Sequence, residues 1–270
     1  MTQNSDQRLK VCAVSYLNTV PLVWGLLHGP QQGLFDLEFR IPSGCADQLA
    51  SGAADIGIVP TFELTRQDLE ILPGTGIACH GPVRSILLIS RRPADQIRTV
   101  AMDNSSRTSV QLARVILAAR YGVEPESIPH KPELDRMLCV ADAALVIGDP
   151  ALHIDPAALP STFHVYDLGA EWVELTGLPM VFAVWAGRRP VVTPEVIDAF
   201  RESCRYGRER MEEIVAAESA PRNFPRELVR RYLTANIVHE LGPDDYRGMR
   251  RFLEMAAELS RPKDARRTAV

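Results

Sequence analysis

Three observations predict an α/β fold of two lobes around a ligand cleft. Strand and helix patterns alternate through the first third of the 270 residues, and the alternation restarts in the middle third. A long apolar strand, "VRSILLIS" and then "MVFAVWAG", stands at each end of that middle stretch. A chain that builds one sheet, leaves to build a second and returns is joined by two crossover strands that act as a hinge, and closure buries whatever lies between the lobes. The expected bounds are 1–91 with 188–270 for one lobe and 92–187 for the other. The length also exceeds what one small core accommodates.

In order, "KVCAVSY" reads as a strand and residues 19–28 as a helix. "FDLEFRI" alternates like a strand, "SGCADQLASG" is a short helix closed by Gly52, and "DIGIVP" is a strand again. That β-α-β-α-β order implies a mostly parallel sheet. The second alternation runs from "TVAM" into the helix of "SSRTSVQLARVILAARYG", whose Val110, Ala113, Ile116 and Leu117 make one apolar face, and which ends at Gly122. "AALVIG" and "FHVYDLG" are further strands. After "MVFAVWAG" strand signals stop, and the chain reads as helices packed back on the first lobe. The last helix puts Tyr246, Met249, Phe252, Leu253, Ala256 and Leu259 on one face, with Asp244 and Asp245 in its first turn. The tail "RPKDARRTAV" is expected to fray.

Composition excludes several classes. Thirty Lys and Arg against thirty-four Asp and Glu leave a net charge of -4, with only short basic clusters, so no basic stripe awaits a nucleic-acid backbone. No apolar run is long enough to span a membrane, and the polar start "MTQNSDQRLK" is unlike a signal peptide, which points to the cytoplasm. Five cysteines lie far apart with no C-x-x-C pair, which argues against a disulfide framework and a structural zinc site. "GTGIACHG" lacks the P-loop lysine and the dinucleotide spacing, and neither G-x-S-x-G nor H-E-x-x-H occurs. His80 and His153 are isolated. No obligate protein partner is implied.

Two corners share one pattern. "VSYLNTVPL" and "VAMDNSSRTSV" each run from strand to polar turn to helix start, where free N–H groups and the helix dipole favour anions. Two such corners on opposite lobes would hold a molecule with two negative groups. Asn18 either caps its helix, with Pro21 in the first turn, or offers its amide to a ligand. Ser105, Ser106, Thr108 and Ser109 supply more hydroxyls than one cap requires, and Arg107 is either a counter-charge or a solvated side chain. Ser85 interrupts an apolar strand at the expected crossing, where it is either a packed serine or a contact on the cleft floor. "IGDPAL" ends a strand with Gly148 and Asp149, the latter a helix cap that also lines the cleft. Hydroxyls, amides and backbone donors without a strong base make this a chemistry of binding and orientation.

"YLNTVPL", "ADIGIVPTFEL", "GPVRSILLIS", "DNSSRTSVQLARVIL", "ALVIGDPAL" and "DLGAEWVELTGLPMVFAVWAG" occur in that order. Jointly, over residues 10–260, they resemble the chorismate dehydratases of the futalosine route to menaquinone. The resemblance implies the periplasmic-binding-protein type II fold and loss of water from chorismate to give 3-[(1-carboxyvinyl)oxy]benzoate, without metal or redox cofactor. It also implies Asn18 and Ser85 as the catalytic polar residues. Around them it sets Tyr16, Ser43, Thr61, Ser105, Ser106, Thr108, Ser109, Gly148 and Asp149 as substrate contacts. The family often has a basic residue where this chain has Val20. Two other readings stay open: a non-catalytic binding protein of the same fold, and the sibling 1,4-dihydroxy-6-naphthoate synthase, for which the chain offers no clear catalytic histidine.

Overall fold

The computed structural model describes residues 8–261. The first seven residues and the tail from 262 onward, where fraying was expected, lie outside the described residues.

The chain opens with β1 (Lys10–Val14), a 3₁₀ turn (Leu17–Thr19) and α1 (Val20–His28), then β2 (Asp36–Arg40), α2 (Pro42–Ser51) and β3 (Ile56–Pro60). Gly52 closes α2 in the left-handed conformation, φ 74°, as the sequence reading has it. β1 pairs parallel to both β2 and β3. Next comes β4 (Glu70–Cys79), a ten-residue strand hidden in the sequence by its glycines. Gly76 is there because a Cβ would stand 2.6 Å from the Ala183 carbonyl oxygen across the sheet.

The second sheet is built from β5 (Ile86–Ser90), β6 (Thr99–Asp103), α3 (Arg107–Tyr121), β7 (Glu126–His130), α4 (Leu134–Val140), β8 (Ala143–Ile147), α5 (Gly148–Leu152) and β9 (His164–Asp167). Its strand order is β7-β6-β8-β5-β9. After α6 (Leu168–Thr176), β10 (Met180–Gly187) returns to the first sheet, antiparallel to both β3 and β4. The first sheet is therefore mixed, because the returning strand enters from the opposite end.

Sheet membership moves the expected bounds. Residues 86–90 belong to the second sheet and 180–187 to the first, so the crossings are residues 80–85 and the stretch between Asp167 and Met180. An apolar run marks a central strand, buried on both faces, but not which sheet it is central to.

The C-terminal third holds α7 (Pro194–Glu209), α8 (Met211–Ser219), α9 (Arg226–Arg231), a π-helical turn (Tyr232–Asn236), β11 (Val238–Glu240) and α10 (Pro243–Ser260). α7 packs on α1, where the Ser203 hydroxyl accepts from Leu26 N–H and donates to the Leu22 carbonyl, at 3.1 and 2.8 Å. α10 buries Met249, Phe252 and Ala256 and touches β10 and α3 alike, so the helical third also reaches the second lobe. β11 adds an edge strand to the first sheet, correcting the expectation that strands end at Gly187. Among the described residues no helix is long and apolar enough to cross a membrane.

Candidate active site

The carboxyl ends of β1 and β3 in one sheet and of β6 and β8 in the other face a common cavity of about 490 Å³, counted with its mouth. Its walls are apolar, with Val14, Ile58, Ile77, Ile86, Ile147 and Phe182. Tyr16, Asn18, Thr19, Ser85, Ser106 and Ser109 supply the polar tips, and no Asp, Glu, His, Lys or Arg lines it. Among the described residues, no group of three or more His, Cys, Asp or Glu stands where it could hold a metal ion.

The first corner settles what Asn18 does locally. Thr19 N–H donates to the Tyr16 carbonyl and Val20 N–H to the Leu17 carbonyl, Pro21 has no N–H, and Leu17 N–H goes to Asp149 Oδ1 at 2.9 Å. Asn18 caps neither element here, since neither the 3₁₀ turn nor α1 has a side-chain cap. Asn18 Oδ1 takes only a long 3.4 Å bond from the Thr19 hydroxyl, and Asn18 lines the cavity. Its carbonyl is held by His239 Nε2 at 2.9 Å. Burial lowers the His239 pKa to about 4, so the ring is neutral at pH 7 and Nε2–H is the donor. Val20, at the position where a basic residue is frequent in the family, is packed in the core.

The second corner is capped. Ser106 Oγ accepts from Ser109 N–H at 3.4 Å and from Ser109 Oγ–H at 3.1 Å, leaving its own proton to donate into the cavity. The N–H groups of Arg107 and Thr108, first in α3, have no intrahelical acceptor. Ser105 and Thr108 lie elsewhere: Ser105 Oγ receives the Tyr16 hydroxyl at 3.2 Å, and Thr108 Oγ1 receives Phe62 N–H at 3.0 Å. Both join the lobes. Asp103, at the end of β6, accepts from Ser105 N–H at 3.0 Å while its Oδ2 is buried without a partner, and burial raises its pKa.

Ser85 lies at the end of the first crossing, one residue before β5, and its Oγ accepts from the Tyr232 hydroxyl at 2.8 Å. Gly148 N–H donates to the Ser85 carbonyl at 2.7 Å. Gly148 has φ 64°, and a Cβ there would meet the Tyr16 ring at 2.5 Å, so only glycine lets the lobes approach this closely. Asp149 caps nothing with its side chain. It binds Leu17 N–H and Arg222, which in turn donates to the Ser15 carbonyl.

Thr61 and Ser43, expected as substrate contacts, also do not line the cavity. Thr61 donates to the Val181 carbonyl at 2.9 Å, tying β3 to β10. Ser43 N–H bonds the Ser105 carbonyl at 2.8 Å, and Ser43 lines an outer groove with Arg66 and Arg107. Arg107, 29% exposed, lies in that groove and not in the cavity, and pairs with Asp47 and the buried Glu63 across the cleft. The molecule is thus closed, its lobes bridged from 17 and 222 to 149, from 16 and 43 to 105, and from 62–63 to 107–108. Sequence reasoning missed Tyr232, His239 and Arg222. The π-helical turn that begins at Tyr232, a feature often found at functional sites, has no motif of its own.

The menaquinone-biosynthesis family model matches residues 9–258. The chain is 32% identical over 256 residues to the chorismate dehydratase of Thermus thermophilus, covering 88% of this chain and 92% of that relative. Among solved structures it resembles a protein from Archaeoglobus fulgidus, with a TM-score of 0.69 at 17% identity over 94% of this chain and 98% of that one. It likewise resembles the alkanesulfonate-binding protein of Xanthomonas axonopodis pv. citri bound to MOPS, with a TM-score of 0.68 at 12% identity over 95% and 94%. These two likenesses speak for the two-lobed binding-protein fold alone. With the family model spanning nearly every described residue, the chain belongs to the menaquinone-biosynthesis family.

Proposed function

We propose that this chain is a chorismate dehydratase, a cytoplasmic hydro-lyase that converts chorismate to 3-[(1-carboxyvinyl)oxy]benzoate and water with no cofactor. One observation carries the reading within this family: a closed apolar slot whose polar tips are all neutral hydrogen-bonding groups. Such a slot suits a flat ring that carries its own charges.

Elimination removes the proton at ring C3 and the hydroxyl at C4. The C3 proton is allylic and vinylogous to the ring carboxylate, so its loss sends charge toward that carboxylate. The Ser106 hydroxyl and the first N–H groups of α3 are the donors for that charge, acting as an oxyanion hole does. One such donor is typically worth about 3 kcal/mol. Aromatisation then drives departure of hydroxide, which leaves with the abstracted proton as water. The proton acceptor is the substrate's own enolpyruvyl carboxylate, held against C3, an arrangement in which positioning alone supplies about 7–11 kcal/mol. Asn18 and Ser85 orient that carboxylate and the leaving hydroxyl. Tyr16 and Gly148 form the lobe-to-lobe contact beside them, while Ser105, Thr108 and Asp149 act on the substrate by holding the lobes closed.

The test is to incubate the purified protein with chorismate and follow mass. A product lighter by one water, formed without additives, is the expected result. Chorismate that stabilises the fold and stays intact would make this a binding protein.

A further inference from the structure

We propose that Tyr232 is a positioning residue of the dehydration site, fixing the direction in which the Ser85 hydroxyl points; this rests on the dehydratase reading above. Tyr232 is 1% exposed and does not line the cavity; it stands behind Ser85. Its hydroxyl donates to Ser85 Oγ at 2.8 Å. A phenol has one proton, and here that proton is spent on Ser85. Ser85 Oγ therefore has its own proton left for the cavity. Burial holds the phenol well above its ordinary pKa, so the direction of its bond to Ser85 does not change across the working pH range.

The surrounding backbone is shaped to hold this placement. Tyr232 begins a π-helical turn closed by Ile237 N–H on the Tyr232 carbonyl at 3.1 Å. From the same segment, Asn236 Nδ2 donates to the Pro82 carbonyl at 2.9 Å in the crossing that carries Ser85, and His239 holds the Asn18 carbonyl. Residues 232–239 thus grip the two ends of the reacting edge, one from each side of the cleft.

Steady-state dehydration of chorismate by the wild type, Tyr232→Phe, Ser85→Ala and the double variant tests this. Tyr232→Phe should lower kcat about 10- to 100-fold with KM within about threefold, the mark of a group acting in the transition state. The double variant should be no slower than Ser85→Ala, because the hydroxyl acts through Ser85. Asn236→Ala, at a half-buried position, should lower kcat about threefold while Tm stays put. Wild-type kcat in Tyr232→Phe, or losses that multiply in the double variant, would overturn the proposal. A Tyr232→Phe chain that does not fold overturns it too, since the hydroxyl would then be holding the fold, as would an Asn236→Ala chain with unchanged kcat. A wild type that leaves chorismate intact contradicts the dehydratase reading itself, whatever the variants do.

Discussion

The two corners of the cleft carry the same sequence pattern and use their polar side chains in opposite ways. At the end of β6, Ser106 caps α3 and Ser109 completes the cap. At the end of β1, Asn18 caps nothing: neither the 3₁₀ turn nor α1 has a side-chain cap, and Leu17 N–H goes to Asp149 instead. A polar residue at a strand-to-helix turn is free for a ligand when the backbone N–H groups around it are satisfied without it. The contrast also divides the cavity. The α3 corner offers a helix N-terminus and a hydroxyl, suited to a carboxylate, and the α1 corner offers a side-chain amide, suited to orienting a neutral or leaving group.

Closing the two corners on each other depends on Gly148, and breaking that contact has the largest expected effect. Gly148→Ala puts a Cβ into the Tyr16 ring at a positive φ, which should cost the closed form about 2–4 kcal/mol from backbone strain and overpacking together. The loss should appear in denaturant melts and as weaker chorismate binding.

His239 tests the support behind the α1 corner. Unfolded, a histidine takes its proton near pH 6.5, and in the fold this one does so near 4. Between those values the unfolded chain binds the extra proton, so stability falls as pH falls, by about 3 kcal/mol across the window. His239→Gln should lose that part of the acid sensitivity when unfolding free energies at pH 7 and pH 4.5 are compared with wild type. An equal pH slope in both proteins would place the sensitivity elsewhere.

Ser106→Ala sharpens the contrast from the other side. Loss of a serine cap should lower stability by about 1 kcal/mol, whereas Asn18→Ala should leave Tm nearly unchanged, since no cap is lost. Equal losses from the two variants would erase the distinction.

What was legible in the sequence was local. Strand-turn-helix corners, glycine caps at Gly52 and Gly122, and a lone serine in an apolar stretch at Ser85 all announce themselves within a few residues. The four hydroxyls of 105–109 were found together, and their spacing already separates them: 105 with 108 and 106 with 109 fall on different sides of one helical turn. Which pair faces the ligand depends on where Tyr16 and Phe62 of the other lobe arrive, and no local pattern carries that. Tyr232 and His239 stand 214 and 221 positions from Asn18 along the chain, and Arg222 207 positions from Ser15. β4 was hidden by the glycines that its close approach to β10 requires. The bounds at 91 and 188 missed the crossings because hydrophobicity marks a strand as central without naming its sheet.

The most direct measurement of the central claim is the turnover of chorismate by Asn18→Ala, read with its Tm. An amide that orients substrate predicts kcat down by about 10²- to 10³-fold, the cost of one transition-state donor, in a protein that melts like the wild type. Wild-type turnover, or a melt that falls as it does for Ser106→Ala, would return Asn18 to the role of a helix cap.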